Sequence, residues 1–355
     1  MKKGALRPEN YIDEELIMST YLSPLAPQRA DPYLYKHGGK YYFTATCPLY
    51  DRIELSCADT VNGIASAPAR TVWMKHETGA LASHIWAPEL HYIMGKWVIY
   101  FAAGHMPDVW DIRPYALVCK GNDPMTDDWG DAVPMEAAPG DPYPFTDFSL
   151  DMTVFENKGR WYAVWAQKFG CSRAPTPISD LLIAELETPT KLKTVFVRLT
   201  SPDYDWERDG GFWVNEGPAV LHTPETRGKL YLTYSASATG ACYCMGMLCA
   251  DENADLLDPR SWSKERYPVL KTDEALKVYG PGHNCFVRGD EDEVLTLLHF
   301  RDYEKIVGDP LDDHNRHAHV LKVSFDKTGK PLFCLNAADL YNTPYRNEKQ
   351  KGINA

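Results

Sequence analysis

Four residues that could carry acid–base chemistry recur at the openings of similar segments along the chain. They are Asp31, Asp151, Glu216 and His283, and Ala87 opens a further segment of the same kind. An isolated Asp in such a place is usually a turn or strand-edge residue. Here three acids fall at one repeat position, and this recurrence favours a functional role.

If these positions converge, three carboxyls and an imidazole share one pocket. Like charges held together in a partly desolvated pocket push their pKa values apart. One carboxyl can then stay protonated as an acid while another stays ionised as a base. Hydrolysis of a glycosidic bond requires a pair of this kind.

The segments that position these residues share one pattern: a short strand, a glycine-containing turn, and a strand with alternating aromatic residues. The first reads DPYLYKHGGKYYFTAT from Asp31, and the second reads APELHYIMGKWVIYFAAG from Ala87. Each is followed by another β-rich run, such as IELSCAD or YALVCKG. Three to four strands repeated five times predict an all-β fold, a five-bladed β-propeller. A two-sheet sandwich would not explain the five-fold recurrence.

The predicted domain organisation is a single catalytic propeller over residues 1–355. The blades are expected at about residues 20–335, and the C-terminal tail is too short for another domain. In propellers the innermost strand of each blade lines the central channel. The five recurring positions should therefore face one funnel.

Composition narrows the possible partners. The net charge of −12 argues against nucleic acid and anionic membrane surfaces. The 10 Trp and 21 Tyr suit the flat faces of sugars, although β-sheet proteins are rich in aromatics anyway. Nine scattered Cys and an N-terminus without an apolar run predict free thiols in a reducing compartment, and hence a cytoplasmic location.

The blade openings resemble those of glycoside hydrolase family 43. The most specific element is WAPEL, Trp86–Leu90, at the opening of the second blade. Arg29–Tyr33, Leu150–Phe155 and Asn215–Pro218 agree with the other openings, and HVLKVSFDKTGKP is similar to the family's closing strand and turn. The resemblance spans about residues 20–335 and implies a five-bladed propeller that hydrolyses glycosides with inversion.

The resemblance also implies roles for the three carboxyls. Asp31 corresponds to the general base that activates water, and Glu216 to the general acid that protonates the leaving oxygen. Asp151 corresponds to the third carboxylate, which tunes the acid's pKa and orients the sugar. Inversion further implies that acid and base lie about 6.5–9.5 Å apart.

His283, within GPGHNCF, occupies a position where many family members place a histidine near a central metal, usually calcium. The alternative is a histidine that hydrogen-bonds the site without metal. Any such ion is expected to be structural, with none required for the chemistry. A zinc site in HNRHAH, from His314, His317 and His319, is disfavoured because these residues alternate on a strand and lack nearby Cys ligands.

Further substrate-binding residues are implied by the resemblance. Trp86 would form an apolar wall at the terminal sugar, and Arg301 would bond sugar hydroxyls, its alternative being a surface ion pair with Asp302. Trp165 and Gln167 are weaker candidates, because a buried Trp is more often part of the core. Glu89 is expected to be a structural acceptor.

The expected substrate is a small oligosaccharide. The family includes arabinofuranosidases, endo-arabinanases, β-xylosidases and galactosidases. An exo-acting enzyme that removes terminal α-L-arabinofuranose from arabinoxylan- or arabinan-derived oligosaccharides is the leading interpretation. A β-xylosidase of the same fold is the second, and a sugar-binding propeller without catalysis is the alternative of another class.

Overall fold

The computed structural model describes residues 20–170, 178–340 and 342. Two predictions fall largely outside these residues. They concern the N-terminal stretch, which lacks an apolar run, and the C-terminal tail. None of the helices in the described ranges has the length or the apolar character that a membrane span requires.

Five antiparallel sheets, one per repeat, form a five-bladed propeller, which confirms the predicted fold. Within each sheet the strands follow one another in chain order from the axis outward, except that β12 and β13 both pair with β11. Blade one contains β1 (Ala30–His37), β2 (Lys40–Thr46), β3 (Arg52–Ala58) and β4 (Arg70–Met74). Blade two contains β5 (Gly79–Ile93), β6 (Lys96–Met106), β7 (Arg113–Val118) and β8 (Val133–Pro134).

The remaining blades repeat this arrangement. Blade three contains β9 (Ser149–Asn157), β10 (Arg160–Phe169), β11 (Ile178–Thr188), β12 (Lys191–Leu192) and β13 (Val197–Thr200). Blade four contains β14 (Asn215–Leu221), β15 (Lys229–Ala236), β16 (Cys244–Asp251) and β17 (Ser263–Lys264). Blade five contains β18 (Tyr279–Arg288), β19 (Val294–Arg301) and β20 (His317–Lys322).

A few small elements complete the described chain. A hairpin of β21 (Ser324–Phe325) and β22 (Pro331–Leu332) follows blade five, and the short helix α1 (Ala337–Leu340) comes after it. The 3-10 turns are Asn62–Ser66, Asp205–Glu207, Asp209–Gly211, Pro224–Thr226 and Pro259–Ser261.

The ring closes where the segment before blade one meets blade five. Ala26 forms a β-bridge with Ala318 of β20, and the N–H of Leu25 donates to the same residue's carbonyl at 2.8 Å. Leu25 is buried in an apolar cluster that joins residues of blades one and five. The innermost strands β1, β5, β9, β14 and β18 contact one another in cyclic order.

The hydrophobic core lies mainly between blades. One cluster packs blade one against blade two around Ile53, Trp73 and Trp97. Another packs blade two against blade three around Tyr100 and Trp165. Both faces of most sheets are therefore covered, and the innermost strands are held at fixed positions around the axis.

Candidate active site

Each blade carries the same backbone irregularity in its innermost strand. The register with the second strand shifts there, which marks a bulge, and one residue in each bulge has a positive φ. These residues are Asp31 (54°), Ala87 (46°), Asp151 (54°), Gly217 (54°) and His283 (48°). Left-handed backbone costs an L-residue roughly 1–2 kcal/mol. Its presence in all five blades indicates that packing around the axis imposes it.

The predicted equivalence of Glu216 with Asp31 is wrong by one residue. The residue just before the positive-φ position pairs with the second strand in every blade, and this set contains Ala30, Trp86, Leu150, Glu216 and Gly282. Glu216 is therefore the counterpart of Trp86, and Gly217 is the counterpart of Asp31. Successive residues of a strand point in different directions. The side chains of Glu216 and Asp31 therefore project in different directions from their bulges.

Gly217 explains why the acid precedes the bulge position in blade four. A Cβ at this residue would lie 3.2 Å from two atoms of the His283 ring, tighter than ordinary contact. Its N–H donates to Oδ2 of Asp151 at 3.0 Å. The glycine lets the backbone approach both residues while Glu216 supplies the carboxyl.

Six of the ten residues in these two sets line one cavity of about 620 Å³. Asp31, Asp151, Glu216 and His283 all contribute to it, as does Trp86. The rest of the wall is largely apolar and includes Trp110, Phe148, Phe212, Tyr243 and Leu311, with Lys168, Asp309 and Arg316 among the charged residues. The structure thus brings together the three predicted carboxyls, the predicted histidine and the predicted tryptophan.

Asp31 is surrounded by donors and positive charge. Its Oδ2 accepts a hydrogen bond from Oγ1 of Thr46 at 2.6 Å, and its Oδ1 lies 3.3 Å from Nδ1 of His283 and 3.5 Å from Nη1 of Arg316. Burial opposes ionisation, but the charges of His283 and Arg316 lower the pKa of Asp31 well below its usual value. Asp31 is therefore ionised, as a base must be.

Asp151 and Glu216 shift in the opposite direction. Burial raises the pKa of Asp151 to about 8, with the Glu216 and Asp31 charges adding to the rise and His283 opposing it. Burial also raises the pKa of Glu216, although the hydroxyl of Tyr243 donates to its Oε1 at 2.9 Å and opposes the rise. The pocket thus holds one ionised carboxyl and two that retain protons to higher pH than usual.

His283 links the carboxyls electrostatically. Its Nδ1 lies 3.3 Å from Asp31 and 3.9 Å from Oδ2 of Asp151, so both carboxyls lie beside one nitrogen. Burial disfavours the imidazolium, but the charges of Asp31, Asp151 and Glu216 raise the pKa of His283 overall. The three neighbouring carboxyls therefore favour the protonated form of this ring.

The described residues do not offer a cluster of charged side chains that would hold a calcium ion by itself. They contain no group of three or more His, Cys, Asp or Glu side chains arranged around a common point. Calcium takes six to eight oxygen ligands, whereas the nearest carboxylates face the His283 ring. A metal near His283 stays a prediction, and no chemical step is derived through it.

Arg301 does not lie where the sequence predicted. It is buried behind the cavity, and its Nη2 donates to the carbonyls of Pro310 at 2.7 Å and Asp313 at 3.0 Å. Its side chain thus supports the loop whose residues Pro310 and Leu311 line the cavity. The arginine beside the Asp31 carboxylate is Arg316, which immediately precedes β20.

Trp165 and Gln167 belong to the core rather than to the cavity wall. Trp165 is fully buried between blades two and three, and its Nε1 donates to Oε1 of Gln167 at 3.3 Å. Gln167 also bonds the backbone of Tyr143 and Phe145. Both side chains leave β10 on the face turned toward the neighbouring blade, so neither reaches substrate from its position here.

The remaining predicted residues have structural surroundings. Glu89 accepts from Nε2 of His91 at 2.9 Å, in keeping with the expected acceptor role. Nδ1 of His319 bonds Ser23, and Nδ1 of His317 accepts from the backbone of Gln28. The histidines of HNRHAH therefore form no metal cluster within the described part of the chain.

Four residues of the site carry no motif that would identify them in the sequence: Arg316, Tyr243 and Lys168 line the cavity, and His299 contacts Asp31 from behind it. Arg316 lies inside HNRHAH, where the histidines are the residues typical of a metal site. Tyr243 lies in the apolar run between Cys242 and Cys244. Their roles depend on contacts across blades, which local patterns do not reveal.

Comparisons with known proteins agree with this site. The sequence model of the glycosyl hydrolases family 43 matches residues 21–331. An extracellular exo-α-(1→5)-L-arabinofuranosidase of Streptomyces avermitilis is 45% identical over 322 residues, which are 90% of this chain and 64% of that protein. One of the same name from Streptomyces chartreusis is 44% identical over 82% of this chain and 85% of its own length.

A solved structure supports the same relationship. The crystal structure of an α-L-arabinofuranosidase from Lactobacillus brevis has 47% identity and a TM-score of 0.81, and the match covers 88% of this chain and 96% of that one. The chain thus spans 64% of the length of the Streptomyces avermitilis relative and nearly all of the Lactobacillus brevis chain. The predicted cytoplasmic location is wrong, because both Streptomyces relatives are named as extracellular enzymes.

Proposed function

The chain belongs to glycosyl hydrolase family 43, and on this premise we propose that it is an inverting, exo-acting α-L-arabinofuranosidase. Its substrates are short oligosaccharides derived from arabinan or arabinoxylan, and the names of the Streptomyces relatives favour α-1,5-linked arabinan fragments. The main support for this function is one cavity in which Asp31 is held ionised while the pKa of Glu216 is raised.

The proposed reaction uses Asp31 as the base. Its carboxylate takes a proton from a water molecule, and the water oxygen forms a bond to the anomeric carbon from the face opposite the leaving group. Thr46 and Arg316 fix and stabilise the carboxylate through their contacts with Oδ2 and Oδ1. A base whose pKa is depressed stays available at mildly acidic pH.

Glu216 completes the reaction as the acid. Its proton passes to the glycosidic oxygen as the bond between this oxygen and the anomeric carbon breaks. The raised pKa keeps that proton in place before substrate binds. Asp151, whose carboxyl accepts from the N–H of Gly217 next to the acid, holds the acid's backbone and offers a polar contact for the sugar.

The cavity wall suits a sugar at its inner end and a second one at its mouth. Trp86 is 8% exposed and its Nε1 has no hydrogen-bond partner among the described residues, so the ring offers both an apolar face and a donor. Trp110 and Phe212 are half-exposed at the rim. Aromatic rings in these places bind the apolar faces of sugar rings.

The decisive experiment compares 4-nitrophenyl α-L-arabinofuranoside with 4-nitrophenyl β-D-xyloside. We expect kcat/KM to favour the arabinofuranoside by at least about tenfold, or about 1.4 kcal/mol. With α-1,5-arabinotriose, proton NMR during turnover should show free β-L-arabinose first, because inversion changes the anomer. A preference for the xyloside would support the β-xylosidase alternative, and binding of arabinotriose without hydrolysis would support a non-catalytic propeller.

A further inference from the structure

The bulge residues make a repeated contact between neighbouring blades. The N–H of Ala87 donates to Oγ1 of Thr46 at 2.8 Å, and the N–H of His283 donates to Oγ of Ser235 at 2.7 Å. In both cases the acceptor lies on the second strand of the preceding blade, opposite that blade's own bulge. A hydroxyl is thus sufficient to hold a left-handed residue at the axis.

Asp31 departs from this pattern, because its acceptor is an imidazole. Its N–H donates to Nδ1 of His299 at 3.0 Å, and His299 pairs with Gly282 in the same register position. The two remaining counterparts, Ala102 and Ala166, have no polar side chain. His299 therefore lies behind the predicted base. A Thr or Ser at this position could accept the backbone N–H of Asp31 equally well.

The ring of His299 is fixed by its surroundings. It is 1% exposed and lies parallel to the ring of Tyr243, with centroids 5.8 Å apart and planes 6° apart. Burial lowers the pKa of His299 to about 3, so the imidazole is neutral. Since Nδ1 accepts from Asp31, the proton of this neutral ring lies on Nε2, which has no partner among the described residues.

Nδ1 of His299 therefore faces both the backbone N–H and the side-chain carboxylate of Asp31. Nδ1 of His299 lies 3.3 Å from Oδ1 of the carboxylate as well as 3.0 Å from the N–H. A bare nitrogen beside an anionic oxygen repels it, while the N–H bond holds the backbone still. Together these contacts direct the carboxylate away from β19, toward Thr46 and the cavity.

We propose that His299 is a positioning residue for Asp31: its neutral imidazole accepts the N–H of Asp31 and fixes the direction of the carboxylate that activates water. This inference rests on the proposed function, in which Asp31 is the base. Misplacing a base by about an ångström can lower the rate by a factor of about 100 even when substrate still binds.

Isosteric variants separate positioning from packing. The Oδ1 of Asn stands where Nδ1 of histidine stands, whereas the Oε1 of Gln stands where Nε2 stands. His299→Asn should therefore keep kcat within about fivefold of wild type, while His299→Gln and His299→Leu should lose about 30- to 100-fold in kcat with KM changed less than threefold. Equal losses in the Asn and Gln variants would overturn the proposal, as would full activity of the Leu variant.

A matched control is His319, a second buried histidine of blade five, which stacks on Phe300 away from the cavity. His319→Asn and His319→Gln should have equal kcat values, whatever they cost in melting temperature. A difference between them as large as that at position 299 would mean that the Asn–Gln contrast reports packing, and the proposal would fall.

A second readout is independent of turnover. In protein labelled with nitrogen-15 in its histidines, His299 should show an unprotonated Nδ1 and a protonated Nε2 from pH 5 to pH 8. The opposite tautomer would overturn the proposal. If wild type proves inactive on arabinofuranosides but the tautomer is as expected, the proposed function fails while the geometry of His299 stands, and the Asn–Gln comparison is repeated on the glycoside that is hydrolysed.

Discussion

At the scale of single residues, the opposite pKa shifts of Asp31 and Glu216 assign different tasks to the two carboxyls. Glu216→Ala removes the proton donor, and 4-nitrophenolate leaves without much protonation. The loss in kcat/KM should therefore be small for 4-nitrophenyl arabinofuranoside and at least about 100-fold for arabinotriose. Asp31→Ala removes the activator of water, so both substrates should lose at least about 100-fold.

The comparison of the two variants on the two substrates tests the assignment directly. If Asp31→Ala spares the activated substrate and Glu216→Ala does not, the two roles are reversed. If neither variant loses more than about tenfold, the carboxyls do not perform acid–base catalysis.

Tyr243 offers a test of how the activity should depend on pH. Its hydroxyl donates to Glu216 and so stabilises the carboxylate, which lowers the acid's pKa. Tyr243→Phe removes this bond and keeps the ring, so the pKa of Glu216 rises and the acid stays protonated to higher pH. The basic limb of the kcat/KM profile should move up by about one pH unit, since a hydrogen bond to a charged group contributes about 1.5 kcal/mol.

The acidic limb serves as the internal control for this variant. That limb reports protonation of Asp31, which the phenol does not contact, and it should stay in place at low pH. A basic limb that stays or moves to lower pH would contradict the assignment of Glu216 as the acid.

At the scale of elements, the bulge in β14 depends on the absence of a side chain at Gly217. Gly217→Ala should destabilise the fold by about 1–2 kcal/mol from the left-handed backbone and displace the His283 ring, lowering kcat as well. Gly38→Ala is the matched control, because Gly38 has a φ of 58° but nothing within 4 Å of its Cβ position. Both variants should lose melting temperature, and only Gly217→Ala should lose most of its activity.

At the scale of the whole molecule, the segment before blade one closes the propeller, because Leu25 and Ala26 bond to β20 of blade five. Leu25→Ala should lower the free energy of unfolding by about 2–5 kcal/mol, because this side chain is 1% exposed between the first and last blades. Leu49→Ala, at a residue that is 70% exposed, should cost less than about 0.5 kcal/mol in urea unfolding. Equal costs would show that the segment does not hold the ring closed.

The chemistry of the whole site is expected to work without a metal, because acid and base are both protein carboxyls. Dialysis against EDTA should leave most of kcat, while a structural ion near His283 would show as a fall in melting temperature. Complete loss of activity that calcium restores would place a metal in the essential set.

Local sequence patterns were enough to predict the strands, their repetition and most of the residues that the structure brings to the cavity. The run KYYFTAT became β2 with the same bounds, because alternation of side chains and glycine turns are local properties. Asp31, Asp151, Glu216, His283 and Trp86 were identified because the family's motifs lie on the strands themselves.

The directions of these side chains and their surroundings depend on the folded ring and could not be predicted from the sequence. A bulge shifts side-chain direction by one residue, so Glu216 and Asp31 turned out to hold different positions. Arg316 rather than Arg301 faces the carboxylate because the path of the chain between β19 and β20 brings it there. The pKa values depend on burial and on charges from other blades, and such contacts between residues far apart in sequence exist only once the ring has closed.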